Sequence, residues 1–323
     1  MQFVRYKRPR GRGERLAVRT SEGTFDLRAS YERFVQAGEA PIRGLAGALK
    51  RGSLCRFLKV PEKTRFLTLL RESGPRYGVR VEDEDQEDQI VLCAPLHDPG
   101  RFIGVGLNYR DHAREIGQSI PSYPPLFAKW VNSINGPYDP IDYPLNTQAL
   151  DYEIELGIVI GTRATRVPVA SALQYVFGYT IINDVSARDL QFQTSQWLAG
   201  KIGDGFAPLG PVITERADIA SPQDLTLQTW VNGELRQNGN TRDMVYGLAA
   251  LVSYLSHLIT LEPGDIIASG TPAGVGMSQD PPRYLRPGDV VRMSIMGLGT
   301  IENLVRAPRS RHKAKAWPFE FDR

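Results

Sequence analysis

The segment Asp151-Tyr152-Glu153-Ile154-Glu155-Leu156-Gly157-Ile158-Val159-Ile160 alternates as a β-strand, with Ile154, Leu156, Ile158 and Ile160 on one face. Glu153 and Glu155 must then share the other face. Two ionised carboxylates at adjacent same-side positions repel each other, and the face behind them is built for burial, so a positive charge is expected between them. A hard divalent cation such as Mg²⁺ or Mn²⁺ meets that demand, because these ions prefer carboxylate and water oxygens to nitrogen or sulfur. A solvent-exposed sheet face carrying two charges is an equally good account of the segment taken alone. Downstream, the apolar strand Tyr179-Thr180-Ile181-Ile182 runs straight into the polar cluster Asn183-Asp184-Val185-Ser186-Ala187-Arg188-Asp189-Leu190-Gln191. Asp184 is placed to be a third carboxylate. The alternative is that Asn183 or Asp184 caps a helix beginning near Val185.

A second chemical pair lies in Gly104-Val105-Gly106-Leu107-Asn108-Tyr109-Arg110-Asp111-His112-Ala113-Arg114-Glu115, a strand leading into a short helix. His112 and Glu115, three apart, project to one side of that helix. A glutamate beside an imidazole fixes its tautomer and stabilises its charged form, so the pair can orient and deprotonate a water. A histidine beside a glutamate on a protein surface is the plainer reading. The Gly-x-Gly here lacks the third glycine of a dinucleotide fingerprint, and Gly270-Thr271-Pro272-Ala273-Gly274-Val275-Gly276 lacks the lysine of a phosphate loop.

The surrounding pattern predicts mostly strands. Residues 2–5 and 15–19 read as short strands, Glu22-Gly23 as a tight turn, and residues 31–50 as irregularly helical. An acidic stretch, 82–88, reads as a solvated loop ahead of the strand-like Ile90-Val91-Leu92-Cys93-Ala94. From Pro95 the texture changes to apolar strands punctuated by Gly and Pro, which sets a boundary there. The expected organisation is a small N-terminal α/β domain over 1–94, a catalytic domain over 95–308 and a basic tail over 309–323. One long helix is predicted over 243–259, with Val245, Leu248, Leu251, Val252, Leu255 and Leu258 or Ile259 on its core face. The turns Pro263-Gly264-Asp265 and Pro287-Gly288-Asp289 each precede a strand, which suggests a closing β-meander. Helices and strands do not alternate regularly, which argues against a doubly wound sheet or a β/α barrel.

Taken together and in order, these blocks resemble the fumarylacetoacetate hydrolase superfamily of acylpyruvase-type hydrolases, decarboxylases and isomerases. The likeness spans roughly 95–305 and rests on six blocks. They are Val105-Gly-Leu-Asn-Tyr with His112-Ala-Arg-Glu115; Pro125-Leu-Phe-Ala-Lys129; Asp151-Tyr-Glu153-Ile-Glu155-Leu; Asn183-Asp184-Val-Ser-Ala-Arg188-Asp-Leu-Gln191; Lys201-Ile-Gly-Asp204-Gly-Phe-Ala-Pro; and Ser269-Gly-Thr271-Pro-Ala-Gly-Val-Gly. The resemblance implies an α+β, strand-dominated fold, a mixed β-sandwich roll, with the metal held by Glu153, Glu155 and Asp184. It also implies a water-activating His112–Glu115 dyad and a Lys201 that stabilises a developing enolate. Thr271 would help bind the substrate carboxylate, with Arg188 and Gln191 in the pocket and Tyr109 and Lys129 as further substrate contacts. The sequence departs from the commonest pattern at Ile154, where a small residue is frequent, and at Ile202-Gly203 after the lysine. Neither change removes a proposed ligand, but both bear on pocket shape.

The implied activity is a divalent-metal-dependent hydrolase cleaving a C–C bond in a small 2-oxo or 1,3-dicarbonyl acid, of acylpyruvate or fumarylpyruvate type. Mg²⁺ or Mn²⁺ is the expected ion, with Ca²⁺ as a substitute. A decarboxylase, or an isomerase or hydratase, could use the same site, since a cation chelated by a 2-oxo acid stabilises the enolate that each reaction forms. Retention of both dyad residues favours hydrolysis. A non-catalytic binding protein is expected to lack a ligand or a dyad residue, and all five are present.

The chain has 323 residues with a formal net charge of +3, so bulk charge gives no support to a nucleic-acid or membrane partner. The basic runs 7–15 and 309–315 are short and terminal, and read as solvated ends. Cys55 and Cys93 alone make no disulfide framework and no zinc spacing. No signal-peptide or bilayer-length apolar run is seen, so the expected location is cytoplasmic. His97, His257 and His312 read as packing, surface or tail residues. A homodimer is implied by the resemblance alone.

Overall fold

In the computed structural model, residues 1–8, 13–72, 74–81 and 90–308 are described. The acidic stretch 82–88, part of the basic run 7–15, His312 and the tail 309–323 lie outside them.

The strand Ile154–Ile160 is buried along its whole length because both of its faces are covered. Ile154, Leu156, Ile158 and Ile160 face one apolar cluster, shared with Leu251, Leu255 and Met293, while Val159 faces a second, shared with Phe3, Phe57 and Ile213. Period-two alternation here sorts side chains between two cores, not between core and solvent. The strand lies inside an eleven-stranded sheet. Its main path runs Gly23–Asp26, Glu14–Thr20, Gln2–Lys7, Ala207–Glu215, Val176–Asn183, Ile154–Ile160, Ile266–Ala268, Phe102–Val105 and Leu126–Ala128. Neighbours on that path are antiparallel except Ile266–Ala268 with Phe102–Val105. A second sheet, Glu234–Asn240, Thr226–Val231, Val290–Ile295, Gly299–Arg306 and Ile141–Asp142, closes over the first core through Leu227, Met293 and Ile301. The result is a strand-dominated α+β fold in which two sheets share a core.

The strands expected near 2–5 and 15–19 form, as Gln2–Lys7 and Glu14–Thr20, and the first continues the large sheet by pairing Phe3 with Ile213. Helices Leu27–Gln36, Leu45–Lys50, Leu54–Leu58 and Lys63–Glu72 pack Tyr31, Phe34, Phe57 and Phe66 onto its second face. Asp26 starts the first of them by accepting the Ala29 N–H at 2.7 Å.

Two sequence expectations need correction. The long helix begins at Leu248, not 243, because Thr241–Asp243 form a separate 3-10 turn and the residues after it are held out of the helix. The Asn108 carbonyl takes the Val245 N–H, its side chain takes the Tyr246 N–H, and Met244 bridges to Tyr109. At the other end Leu258 and Ile259 are exposed, outside the core face. The second correction concerns the closing meander. Ile266–Ala268 enters the large sheet and Val290–Ile295 the second one, so the two similar turns feed different layers. Among the described residues no helix is long and apolar enough to cross a membrane. Cys55 and Cys93 are buried free thiols.

Candidate metal centre and active-site cavity

Pairing of Ile154 with Asn183 brings the start of one strand against the end of another, and with it three carboxylates together. The Glu153 N–H donates to Asn183 Oδ1 at 3.2 Å and the Asp184 N–H to the Glu153 carbonyl at 2.9 Å. One side-chain oxygen each from Glu153, Glu155 and Asp184 then lies within 4.8 Å of the others, all buried. This removes the reading of an exposed, doubly charged sheet face. It also removes the helix-cap reading of Asp184: Ser186–Ala187 pairs with Leu150–Asp151, and the helix starts only at Arg188.

Buried cations answer most of that negative charge. Lys201 Nζ lies 2.8 Å from Glu153 and 2.7 Å from Asp184, and Lys129 Nζ lies 2.5 Å from the second Asp184 oxygen. Arg188 reaches Asp151 at 2.9 Å and Glu153 at 2.7 Å, and donates to Gln191 Oε1 at 3.0 Å. Burial opposes the charge on Lys201, but Asp184 and Glu153 outweigh it and raise its pKa. Arg188 is raised in the same way by Glu153 and Asp151 against its burial. Lys129 is lowered, because its complete burial outweighs Asp184. Burial likewise works against ionised Glu153, yet Lys201 and Arg188 hold its pKa well below the usual carboxylate range.

Glu155 differs. Burial, then the charges of Asp184 and Glu153, push its pKa well above the ordinary value. It accepts the Gly270 N–H at 2.9 Å and, among the described residues, forms no ion pair. An all-carboxylate donor set with one uncompensated member fits a hard divalent cation, and Glu153, Glu155 and Asp184 would hold it.

Next to this cluster, His112 Nδ1 lies 2.7 Å from Glu115 Oε1. The other Glu115 oxygen accepts the Gly274 N–H at 2.9 Å and the Ser278 hydroxyl at 2.7 Å. Burial would raise the Glu115 pKa, but His112, Gly274 and Ser278 outweigh it and lower the pKa. The carboxylate is thus anchored on three sides and fixes the ring of His112.

Thr271 is oriented by a residue that the sequence reading missed. The fully buried Gln237 accepts the Ile154 N–H and the Thr229 hydroxyl on Oε1, at 3.1 and 2.9 Å. Its Nε2 donates to the Pro272 carbonyl at 2.9 Å and to Thr271 Oγ1 at 2.8 Å. Two backbone partners fix which end of the amide is which, so Thr271 must accept, and its own proton is left for a ligand.

His112, Glu153, Glu155, Arg188, Gln191, Lys201 and Thr271 all line one cavity of about 360 Å³. Asp184 and Lys129 sit behind them, the Asp184 carboxylate being bonded to both Lys201 and Lys129. Neither Lys129 nor Tyr109 lines the cavity: Tyr109 is buried in the first core, its hydroxyl without a hydrogen-bond partner among the described residues. Besides Gln237, sequence reasoning passed over Asp151, which accepts Arg188 and the Gly276 and Met277 N–H groups. Its place two residues before Glu153 was the available signal. It also passed over Phe127 and Trp197, which wall the cavity.

Residues 101–306 match the family described as fumarylacetoacetate (FAA) hydrolase, C-terminal. The chain belongs to this family. A Burkholderia multivorans protein with only a provisional hydrolase name is 50% identical over 212 residues, 65% of this chain and 75% of that protein. The 5-carboxymethyl-2-hydroxymuconate delta-isomerase of Mycobacterium smegmatis superposes with a TM-score of 0.68 at 31% identity, covering 98% of this chain and 100% of that one. Maleylpyruvate hydrolase of Sphingobium sp. SYK-6, in complex with manganese(II) and pyruvate, superposes with a TM-score of 0.71 at 26% identity, covering 96% and 100%. A hydrolase and an isomerase thus share this fold, so the fold alone does not fix the reaction.

Proposed function

We propose that the protein is a divalent-metal-dependent hydrolase that cleaves a C–C bond in a small 2-oxo acid carrying a second carbonyl, of acylpyruvate type. The observation that carries this reading is that an anchored His–Glu dyad and a three-carboxylate cluster open on the same cavity. Loss of CO₂ needs an electron sink but no attacking water, so the dyad favours hydrolysis.

A Mg²⁺ or Mn²⁺ ion held by Glu153, Glu155 and Asp184, with Ca²⁺ as a substitute, supplies the electron-withdrawing charge when bound. His112, held in one tautomer by Glu115, accepts a proton as water attacks the distal carbonyl. The bond between that carbonyl and the methylene carbon then breaks, giving a carboxylic acid and an enolate, and the proton from His112 returns to the methylene carbon. Lys201 adds fixed positive charge where the enolate oxygen develops, and the free proton of Thr271 meets the substrate carboxylate. Arg188 and Gln191 complete the polar wall. The reading extends to a cytoplasmic homodimer with a small-molecule partner only, resting on the family likeness, the modest net charge and the free thiols.

An isomerase is the second reading, favoured by the 31%-identical neighbour of that name and by a dyad able to move a proton between carbons. Turnover of acetylpyruvate, fumarylpyruvate and oxaloacetate by metal-stripped protein, before and after Mg²⁺ or Mn²⁺, separates the cases. Metal-restored cleavage of an acylpyruvate, abolished in Glu153→Ala, is the expected result. Oxaloacetate turnover alone would mean a decarboxylase. Metal-dependent exchange of substrate C–H for deuterium without cleavage would mean an isomerase.

A further inference from the structure

One side of the cavity, here called its aromatic compartment, has a chemistry unlike that of the charged floor. Phe127 lies across Gly104, its partner in the sheet: a Cβ on Gly104 would stand 2.2 Å from the ring. Trp197 lies across Gly106, where a Cβ would stand 2.3 Å from the indole. Two glycines two residues apart thus make room for two rings, 6.1 Å between centroids and tilted by 58°. Lys201 Nζ stands 4.7 Å from the Phe127 centroid, so the aromatic wall begins where the charged cluster ends. Toward the mouth, Phe192 is 54% exposed and Thr194 and Ser195 are exposed, all three lining the cavity.

Beyond Lys201 at its inner edge, no charged side chain among the described residues lines this part of the cavity. Lys201, Arg188 and His112 are the only basic side chains among the described residues that line the cavity, and each already faces a carboxylate of the protein. A second substrate carboxylate lying along Phe127 and Trp197 would be desolvated beside only Lys201, already paired with Glu153 and Asp184, whereas a flat uncharged group gains ring contact. We infer that this compartment is a slot for a flat, uncharged acyl group. The preferred substrate then carries one carboxylate, at the floor, and an aryl or conjugated alkyl tail. The neighbouring hydrolase is named for maleylpyruvate, a dicarboxylate, so the slot separates this chain from it in substrate choice.

This inference rests on the acylpyruvase reading for its reaction but not for its ligand, and the test uses that separation. With the metal-loaded full chain, kcat/KM is measured for benzoylpyruvate and for fumarylpyruvate, and binding by calorimetry for 2-oxo-4-phenylbutanoate and 2-oxoadipate. Benzoylpyruvate is expected to lead by roughly a hundredfold, as a misplaced polar group typically dictates. Phe192→Arg, a change at an exposed rim position, should cut that ratio roughly tenfold by giving the second carboxylate of fumarylpyruvate a counter-charge. Equal or better use of fumarylpyruvate by the unaltered protein, or an unmoved ratio in folded Phe192→Arg, would overturn the slot. If neither acid is cleaved but 2-oxo-4-phenylbutanoate still binds more tightly than 2-oxoadipate, the slot stands and the hydrolase reading fails. If 2-oxoadipate binds as tightly or more so, or neither acid binds, the slot is wrong whatever the turnover.

Discussion

The two ends of the cavity are built on opposite plans. At the floor, Glu153, Asp184, Lys201, Lys129, Arg188 and Asp151 form a closed web of buried charges drawn from separate strands and short helices, with Glu155 left as its uncompensated member. At the upper end, Phe127 and Trp197 rest on Gly104 and Gly106 and bring no charge at all. The floor is specified by electrostatics, where each group depends on its partners, and the wall by shape, where one Cβ decides whether a ring fits. Damage at the floor should therefore spread through the web, while damage at the wall should stay local.

Lys201→Met should produce the largest effect. It leaves Glu153 and Asp184 each short of a buried partner, for which a loss of about 3 kcal/mol is typical, and it removes a charge that the enolate would face, typically worth about a thousandfold in rate. Thermal unfolding of metal-stripped protein should show the destabilisation, and added Mn²⁺ should recover part of it by supplying the missing positive charge. A variant that loses activity with no change in stability, with or without Mn²⁺, would break the picture of a mutually dependent web.

A smaller loss is expected from Gln237→Leu, outside the charged web but next to it. Removing the amide frees the Thr271 hydroxyl to turn away from the cavity and strands the Ile154 N–H, at a stability loss of about 2 kcal/mol. KM should rise by roughly tenfold with kcat much less affected, as the proposed role of Thr271 in holding the carboxylate requires. In a Thr271→Val background the same substitution should leave KM almost unmoved. Additive effects in that double mutant would show that Gln237 acts only through packing.

How far the two ends could be read from sequence follows from the same difference. Carboxylates at Glu153 and Glu155 on a clean alternation, with Asp184 ending the next apolar strand, disclosed the floor because residue type and period were both informative. What they could not disclose was whether that face meets solvent. The answer depends on helices around Phe34, Phe57 and Phe66, far earlier in the chain, which pack on the Val159 side of that strand, the side that Glu153 and Glu155 share. Gln237 was hidden because it sits in Glu234–Asn240, a strand of mostly polar residues that gives no apolar pattern to follow. The wall was hidden because nothing in a strand holding Gly104 and Gly106 points to Trp197, about ninety residues on, which lies over one of them. The helix start was misplaced for a related reason: Asn108 pulls Val245 and Tyr246 out of a helix their apolar spacing would allow.

The smallest expected effect, and the one with a sign to check, concerns Glu115. Its pKa is lowered in the folded protein, burial being outweighed by His112 and by the Gly274 and Ser278 donors. The folded state therefore releases this proton more readily than the unfolded chain does. That contribution to stability is present above the ordinary carboxylate pKa and is lost as pH falls through the folded value. Glu115→Gln removes the titration, so the difference in melting temperature between it and the unaltered protein should be greatest near neutral pH and close on acidification. Partial exposure limits its size to about 2 °C. Trp197→Phe, at the uncharged end, should give a difference that does not vary with pH. A Glu115→Gln gap that widens in acid would mean that Glu115 gains a proton on folding instead of losing one, and the anchored dyad would have to be abandoned.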